Sequence, residues 1–193
     1  MVVATGNRHK VEEIRAMLAD LPVAVRSLAD FPGAPEVVED GRTYRENALK
    51  KAWSAAKFTG KPALADDTGL EVDALGGRPG LYAARFAGEG CTFQDNVRKL
   101  MRLLEGVPPP RRGARFVCVL ALVDPSGREQ VVEGELHGRI AEAPAGRGGF
   151  GYDPVFYVPE VGKTLAELTP EEKNRISHRG RALAKARALI LAG

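Results

Sequence analysis

Cysteine is scarce in this chain. Cys91 and Cys118 are the only two among 193 residues, their spacing fits no metal-binding pattern, and so small a number argues against a disulfide framework. Long apolar runs are absent too. None approaches the ~18 residues needed to span a bilayer, and the opening MVVATGNRHK lacks the apolar stretch of a secretory leader. The cytoplasm is therefore the expected location, with no membrane partner. No repeats or low-complexity segments occur, which sets aside solenoid and disordered architectures. Acidic residues are missing from one stretch: from Lys173 onward there are six Lys/Arg and no Asp or Glu, within a chain of net charge +3. Such a basic tail can face solvent, phosphate or nucleic acid.

What is present is a globular composition, 44% hydrophobic and 27% charged, expected to form one domain over residues 1–193. MVVAT reads as a short strand. KVEEIRAMLAD reads as a helix with Val11, Ile14, Met17 and Leu18 on one face. TYRENALKKAWSAAKF is a second helix ended by Gly60. PALAD reads as a buried strand stopping at an acidic pair. Thr92 and Asp95 form a capping-box pattern ahead of a third helix. PSG separates two strand-like runs as a hairpin, and PVFYV is strand-like. Thr169, Pro170 and Glu172 open a closing helix. Strands and helices mix irregularly, which predicts an α/β fold with a mixed sheet.

Four constellations can carry chemistry. TGNRHK, between the first strand and its helix, offers backbone N–H groups, Asn7, Arg8 and Lys10 to a phosphate chain, although Gly and Asn also serve the turn geometry alone. Asp66 and Asp67, taken with Glu39 and Asp40, could supply oxygen ligands to a hard divalent cation; ordinary turns are the competing reading. GRGGFGYDP contains G-x-G-x-x-G, but no helix follows, which removes the dinucleotide-binding reading. It leaves a permissive loop presenting Phe150 and Tyr152 as a stacking platform or as core. In EEKNRISHRGRAL, His178 and Arg179 follow Ser177, a possible cap. Cations are disfavoured in a helix's first turn, and a break at Ser177 would let Lys173 and His178 turn toward each other. A nucleotide- or RNA-binding protein without turnover is a competing class, but paired acids near a phosphate site repel nucleic acid. A nicotinamide-dependent dehydrogenase is weaker still.

The order of these motifs, TGNRHK, EDGRTYRENALKKA, LADDTGLEVDALGGRPGLYAARFAG, GGFGYDPVF and LTPEEKNRISHRGRAL, closely resembles the inosine triphosphate pyrophosphatase family from Thr5 to about Leu183. The resemblance implies an elongated mixed α/β fold with flanking helices and two lobes around a central cleft. It also implies a magnesium-dependent homodimer that hydrolyses non-canonical purine nucleoside triphosphates (ITP, dITP, XTP) to the monophosphate and pyrophosphate, with no nucleic-acid partner. By motif, Thr5, Gly6, Asn7, Arg8, His9 and Lys10 would bind phosphate, and Glu39 and Asp67 would hold magnesium, with Asp67 also the general base. Thr68 would touch substrate where many relatives have serine. Phe150, Gly151, Tyr152 and Asp153 would hold base and sugar, with Lys173, His178 and Arg179 closing the pocket.

Overall fold

Val2 and Val3, both fully buried, form strand β1, and the chain turns through Thr5–Gly6–Asn7 into helix α1 (Arg8–Met17). Asn7 caps that helix, its side-chain oxygen accepting from the His9 and Lys10 N–H groups. The helix therefore starts at Arg8, two residues before the Lys10 start that its apolar periodicity suggests. In this computed structural model residues 1–192 are described; Gly193, the last residue of the expected domain, lies outside them.

The remaining strands are β2 (Arg26–Ser27), β3 (Ala63–Val72), β4 (Pro79–Gly80), β5 (Gly113–Val123), β6 (Glu129–Ile140), β7 (Phe156–Val158) and β8 (Lys163–Thr164). Helices α2 (Tyr44–Thr59), α3 (Phe93–Leu103), α4 (Pro170–Ile176) and α5 (His178–Ala192) complete the set, with short 3₁₀ turns between elements. The strands hydrogen-bond in the order β2-β1-β3-β5-β6-β7-β8, with β4 beside β3. β1 runs parallel to β2 and β3, whereas β7 is antiparallel to β6 and β8. The sheet is mixed and the fold α/β, as expected.

Several local expectations hold. Gly60 ends α2 in the left-handed conformation at φ 63°, where a side chain would be strained. Thr92/Asp95 and Thr169/Glu172 are complete capping boxes. The Asp124–Arg128 turn joins β5 to β6, the Asp124 N–H reaching Arg128 O at 2.9 Å. One expectation fails. β3 does not stop at the acidic pair but continues through Asp66 and Asp67 to Val72. Aspartate is a poor strand residue, yet both carboxylates meet cations in the folded chain, and those tertiary partners override the local preference. No helix among the described residues is long and apolar enough to cross a membrane.

The chain divides into two compact units. Unit 1 comprises Met1–Asp67, Cys118–Gly134 and the chain from Arg179 on; unit 2 comprises Thr68–Val117 and Glu135–His178. Unit 1 packs Val3, Ile14, Leu18, Leu64, Leu120 and Leu183 into one core. Unit 2 packs Leu70, Leu100, Leu104, Phe116, Leu136 and Phe156 into another. Each such buried side chain contributes about 1.5–3 kcal/mol relative to exposure.

Candidate active site

In unit 1 the acidic pair is resolved by strand geometry. Neighbouring residues of a strand point to opposite faces, so Asp66 and Asp67 meet different partners. Asp66 is fully buried. Its Oδ1 accepts from Lys10 Nζ, and its Oδ2 accepts from Arg179 Nε at 2.9 Å and from the Cys118 thiol at 3.1 Å. Burial alone would raise its pKa, but Arg179 and Lys10 outweigh that and hold the carboxyl well below the ordinary range. Burial, reinforced by the charge of Asp66, keeps Cys118 a neutral thiol.

Asp67 faces α2. Lys51 Nζ donates to Asp67 Oδ1 at 2.9 Å and to the Asp66 carbonyl at 2.8 Å, and lies 3.2 Å from Glu39 Oε1. Asn47 Nδ2 reaches Asp67 Oδ2 at 3.5 Å, while its Oδ1 accepts from the Gly41 N–H at 2.8 Å. A Cβ on Gly41 would fall 2.5 Å from that Asn47 oxygen, so glycine is required for the loop after Glu39 to come this close. Burial raises Asp67 to about 6, and the Glu39 charge adds to the rise while Lys51 opposes it. Burial also acts to raise Glu39, but Lys51 and a hydrogen bond with Asp67 prevail and lower it. Of the two acids, Asp67 is the one that keeps its proton longer.

Lys51 escaped sequence reasoning. The signal was its place on α2: Ala48, Ala52 and Ala55 are buried on the same face as Asn47 and Lys51, and a cation inside an alanine stripe calls for a buried counter-charge. Asp40, weighed with Glu39 from sequence, pairs with exposed Lys50 instead.

The phosphate-loop candidates sit in the same unit. Thr5 Oγ1 accepts from the Asn7 N–H at 3.1 Å, so Thr5 and Asn7 both brace the turn. Gly6, Arg8 and His9 are exposed, and the first turn of α1 contains no acid. A cavity of about 560 Å³ is lined by Thr5, Gly6, Phe31, Pro35, Glu39 and Lys51 among others. Loop, Glu39 and Lys51 thus border one space.

In unit 2, residues 146–154 form a loop leading toward β7, with Gly149 at φ 68° and Gly151 at φ 64°. Asp153 is its anchor. It is buried, and its Oδ2 accepts from the Phe150 N–H at 2.8 Å and from Lys173 Nζ at 2.6 Å. A Cβ at Gly149 would fall 2.1 Å from that oxygen. Lys173 Nζ lies 4.6 Å from the centroid of the Phe150 ring, within cation–π range. Phe150 is half-buried and leans on Phe93 at 6.0 Å. Tyr152 belongs to the unit's core, its hydroxyl donating to Ala83 O at 2.8 Å. Thr68 follows the acidic pair in β3 and is half-buried.

The helix break at Ser177 is present, with φ −65° and ψ 158° between α4 and α5. On its two sides Lys173 turns to Phe150 and His178 stacks on Phe116, the rings 4.5 Å apart and 16° from parallel. Within unit 1 the Arg179 guanidinium pairs with Asp66 and Glu13. The structure therefore groups Lys10, Glu39, Asp67 and the loop in one unit, and Phe150, Asp153 and Lys173 in the other.

The profile of the Ham1 family matches residues 1–189. A dITP/XTP pyrophosphatase of Geobacter sulfurreducens is 56% identical over 184 residues, 95% of this chain and 92% of that protein. Another, of Geobacillus kaustophilus, is 56% identical over 185 residues, 96% of this chain and 91% of that protein. Among solved structures, a HAM1 protein from Coxiella burnetii matches with a TM-score of 0.89 at 41% identity, covering 100% of this chain and 98% of that one. With a profile match over nearly its whole length, and relatives more than half identical, the chain belongs to the Ham1 family.

Proposed function

We propose that this protein hydrolyses non-canonical purine nucleoside triphosphates, ITP, dITP and XTP, to the nucleoside monophosphate and pyrophosphate. The observation that carries the reading is Asp67: a buried carboxylate raised to about 6, beside Glu39 and Lys51, in the unit that also holds a phosphate-type loop. The names of the 56%-identical relatives support the substrate class.

Glu39 and Asp67 fit a hard divalent ion. No group of three or more His, Cys, Asp or Glu disposed around a metal occurs among the described residues. A closed, zinc-type cage is not the arrangement. Two carboxylates from different segments suit magnesium, which takes one or two protein carboxylates and completes its shell with phosphate oxygens and water. Bound there, the ion neutralises phosphate charge.

The chain's own residues do the rest. Water attacks the α-phosphorus, its new P–O bond forming as the bond to the bridging oxygen of the β-phosphate breaks, and Asp67 takes the water's proton. Without a metal bound, burial gives Asp67 more proton affinity than an ordinary carboxylate while leaving it ionised at neutral pH. Lys10 offsets charge developing on the pyrophosphate, and the Thr5–Lys10 loop holds the phosphate chain at a helix N-terminus free of acids. Phe150 stacks on the base. Gly151, Tyr152 and Asp153 hold the base and sugar with it, Lys173, His178 and Arg179 close the pocket, and Thr68 touches substrate, with Asp153 fixing both Phe150 and Lys173. The same reading takes the whole chain as one functional domain, a cytoplasmic homodimer that binds no nucleic acid; the homodimer rests on the family resemblance, the other parts on composition and charge.

Product analysis on a panel of nucleoside triphosphates with magnesium tests the reading. ITP, dITP and XTP should each give the monophosphate and pyrophosphate. Asp67→Asn should lower turnover about 10²–10⁴-fold with the fold kept. A nucleoside diphosphate and orthophosphate as first products, or wild-type turnover in Asp67→Asn, would overturn it.

A further inference from the structure

Lys10 and Glu13 lie one turn apart on α1, and each is fastened to a different element of unit 1. Lys10 Nζ donates to Asp66 Oδ1 on β3, and Glu13 Oε2 accepts from Arg179 on α5 at 2.6 Å. Arg179 joins the two ends, its Nε donating to Asp66 Oδ2 at 2.9 Å. Asp66 is 0% and Arg179 1% exposed, so water screens little of this chain of charges and each link acts strongly on the next. Two cations alternate with two anions, and the four formal charges cancel.

The alternation has a consequence for Lys10. Alone with Asp66, its charge toward a ligand would be offset in full. Because Arg179 holds the other Asp66 oxygen, that carboxylate is divided between two cations, and Lys10 retains part of its pull on phosphate. Glu13 decides the division: with its charge present, Arg179 is satisfied from both sides. Without it, Arg179 draws harder on Asp66, and the carboxylate that aims Lys10 shifts. Helix α1, which follows the phosphate loop, also loses one of its fastening points, the Glu13–Arg179 pair.

We propose that Glu13, acting through Arg179 and Asp66, is a positioning residue that sets the orientation and local charge of Lys10. The proposal rests on the reading of Lys10 as a phosphate contact. A plain ion pair between α1 and α5 would matter for stability, but its loss would affect the site in the same way whether or not Lys10 were present.

A double-mutant cycle separates the two. Glu13→Gln, Lys10→Met and the double variant are compared with the parent in steady-state ITP hydrolysis, with circular dichroism and thermal unfolding recorded on each. Lys10 is assigned to charge that appears in the transition state. Glu13→Gln should therefore lower kcat and kcat/KM together, about tenfold, with KM nearly unchanged. In the Lys10→Met background the same substitution should cost less than about twofold. Should Glu13→Gln fail to fold, Glu13→Asp, which keeps the charge on a shorter arm, should show a smaller kcat loss that again vanishes without Lys10. An equal fractional loss in both backgrounds, or no loss in the parent, overturns the positioning role. Wild-type turnover in Lys10→Met overturns the underlying reading of Lys10 instead, so the two failures are told apart.

Discussion

Lys51 carries one positive charge between two carboxylates and a main-chain carbonyl, where a divalent ion would claim the same oxygens. On the proposed reading, the lysine and a magnesium ion would compete for the charge of Glu39 and Asp67. Lys51→Met should destabilise the metal-free protein, since removing one partner of a buried pair costs about 3–5 kcal/mol. It should also enlarge the stabilisation gained on adding magnesium, because ligand binding to the folded state raises apparent stability and the carboxylates would have lost the Lys51 ammonium that offsets their charge. Thermal unfolding of both proteins with and without magnesium measures this. A magnesium shift no larger in the variant than in the parent would refute the competition. Adjacent acids after an apolar run were legible in the sequence as something to be neutralised. Which acid faces which cation was not, because Lys51 is 16 residues from Asp67 and Arg179 is 113 residues from Asp66, distances across which no local pattern runs. Glu13 was unreadable for the same reason.

At the scale of elements, the features set by neighbouring residues were the legible ones. Helix α3 begins at a capping box in which Asp95 accepts from the Thr92 N–H at 2.8 Å and the Thr92 hydroxyl at 2.6 Å, all within four residues of sequence. Those bonds, with a contribution from Arg98, lower the Asp95 pKa from 3.8 to about 2. A depressed folded-state pKa gives stability that is complete above pH 3.8 and is lost as the pH falls through about 2. Asp95→Asn should therefore lower the unfolding temperature at pH 7, and the difference from the parent should shrink as the pH drops below 4. A difference that stays constant from pH 7 to pH 3 would assign the effect to hydrogen-bond shape rather than charge. Of the four two-residue strands, β1 was legible from its apolar Val2–Val3 run, whereas β2, β4 and β8 were not, since each is defined by its partner and not by an apolar run of its own. β3 misled for the opposite reason: its acids looked like a terminus until their cations were seen.

For the whole molecule, the notable property is where the chain passes between units. The crossings after Asp67, Val117 and Gly134 fall inside β3, β5 and β6, and the last comes after the first residue of α5. None lies in a linker, and β3, β5 and β6 each contribute residues to both units. Calorimetric unfolding should accordingly show one transition with equal calorimetric and van't Hoff enthalpies; two resolved transitions would contradict it. The mixed α/β class was legible in the sequence from the irregular alternation of elements, and two lobes were expected from the family resemblance, whereas the points where the chain crosses between units were not legible, because no shift in composition marks them. That same interleaving constrains how this gene can recombine. Unit 1 draws on both ends of the sequence and unit 2 on two separate stretches, so a single crossover with a homologous gene always leaves unit 1 of mixed parentage. Replacing unit 2 alone would take four breakpoints, three of them within β3, β5 and β6 and each of those obliged to preserve strand register to the residue, because in β3 a slip of one would exchange the faces of Asp66 and Asp67. Inheritance of this protein is close to all or none.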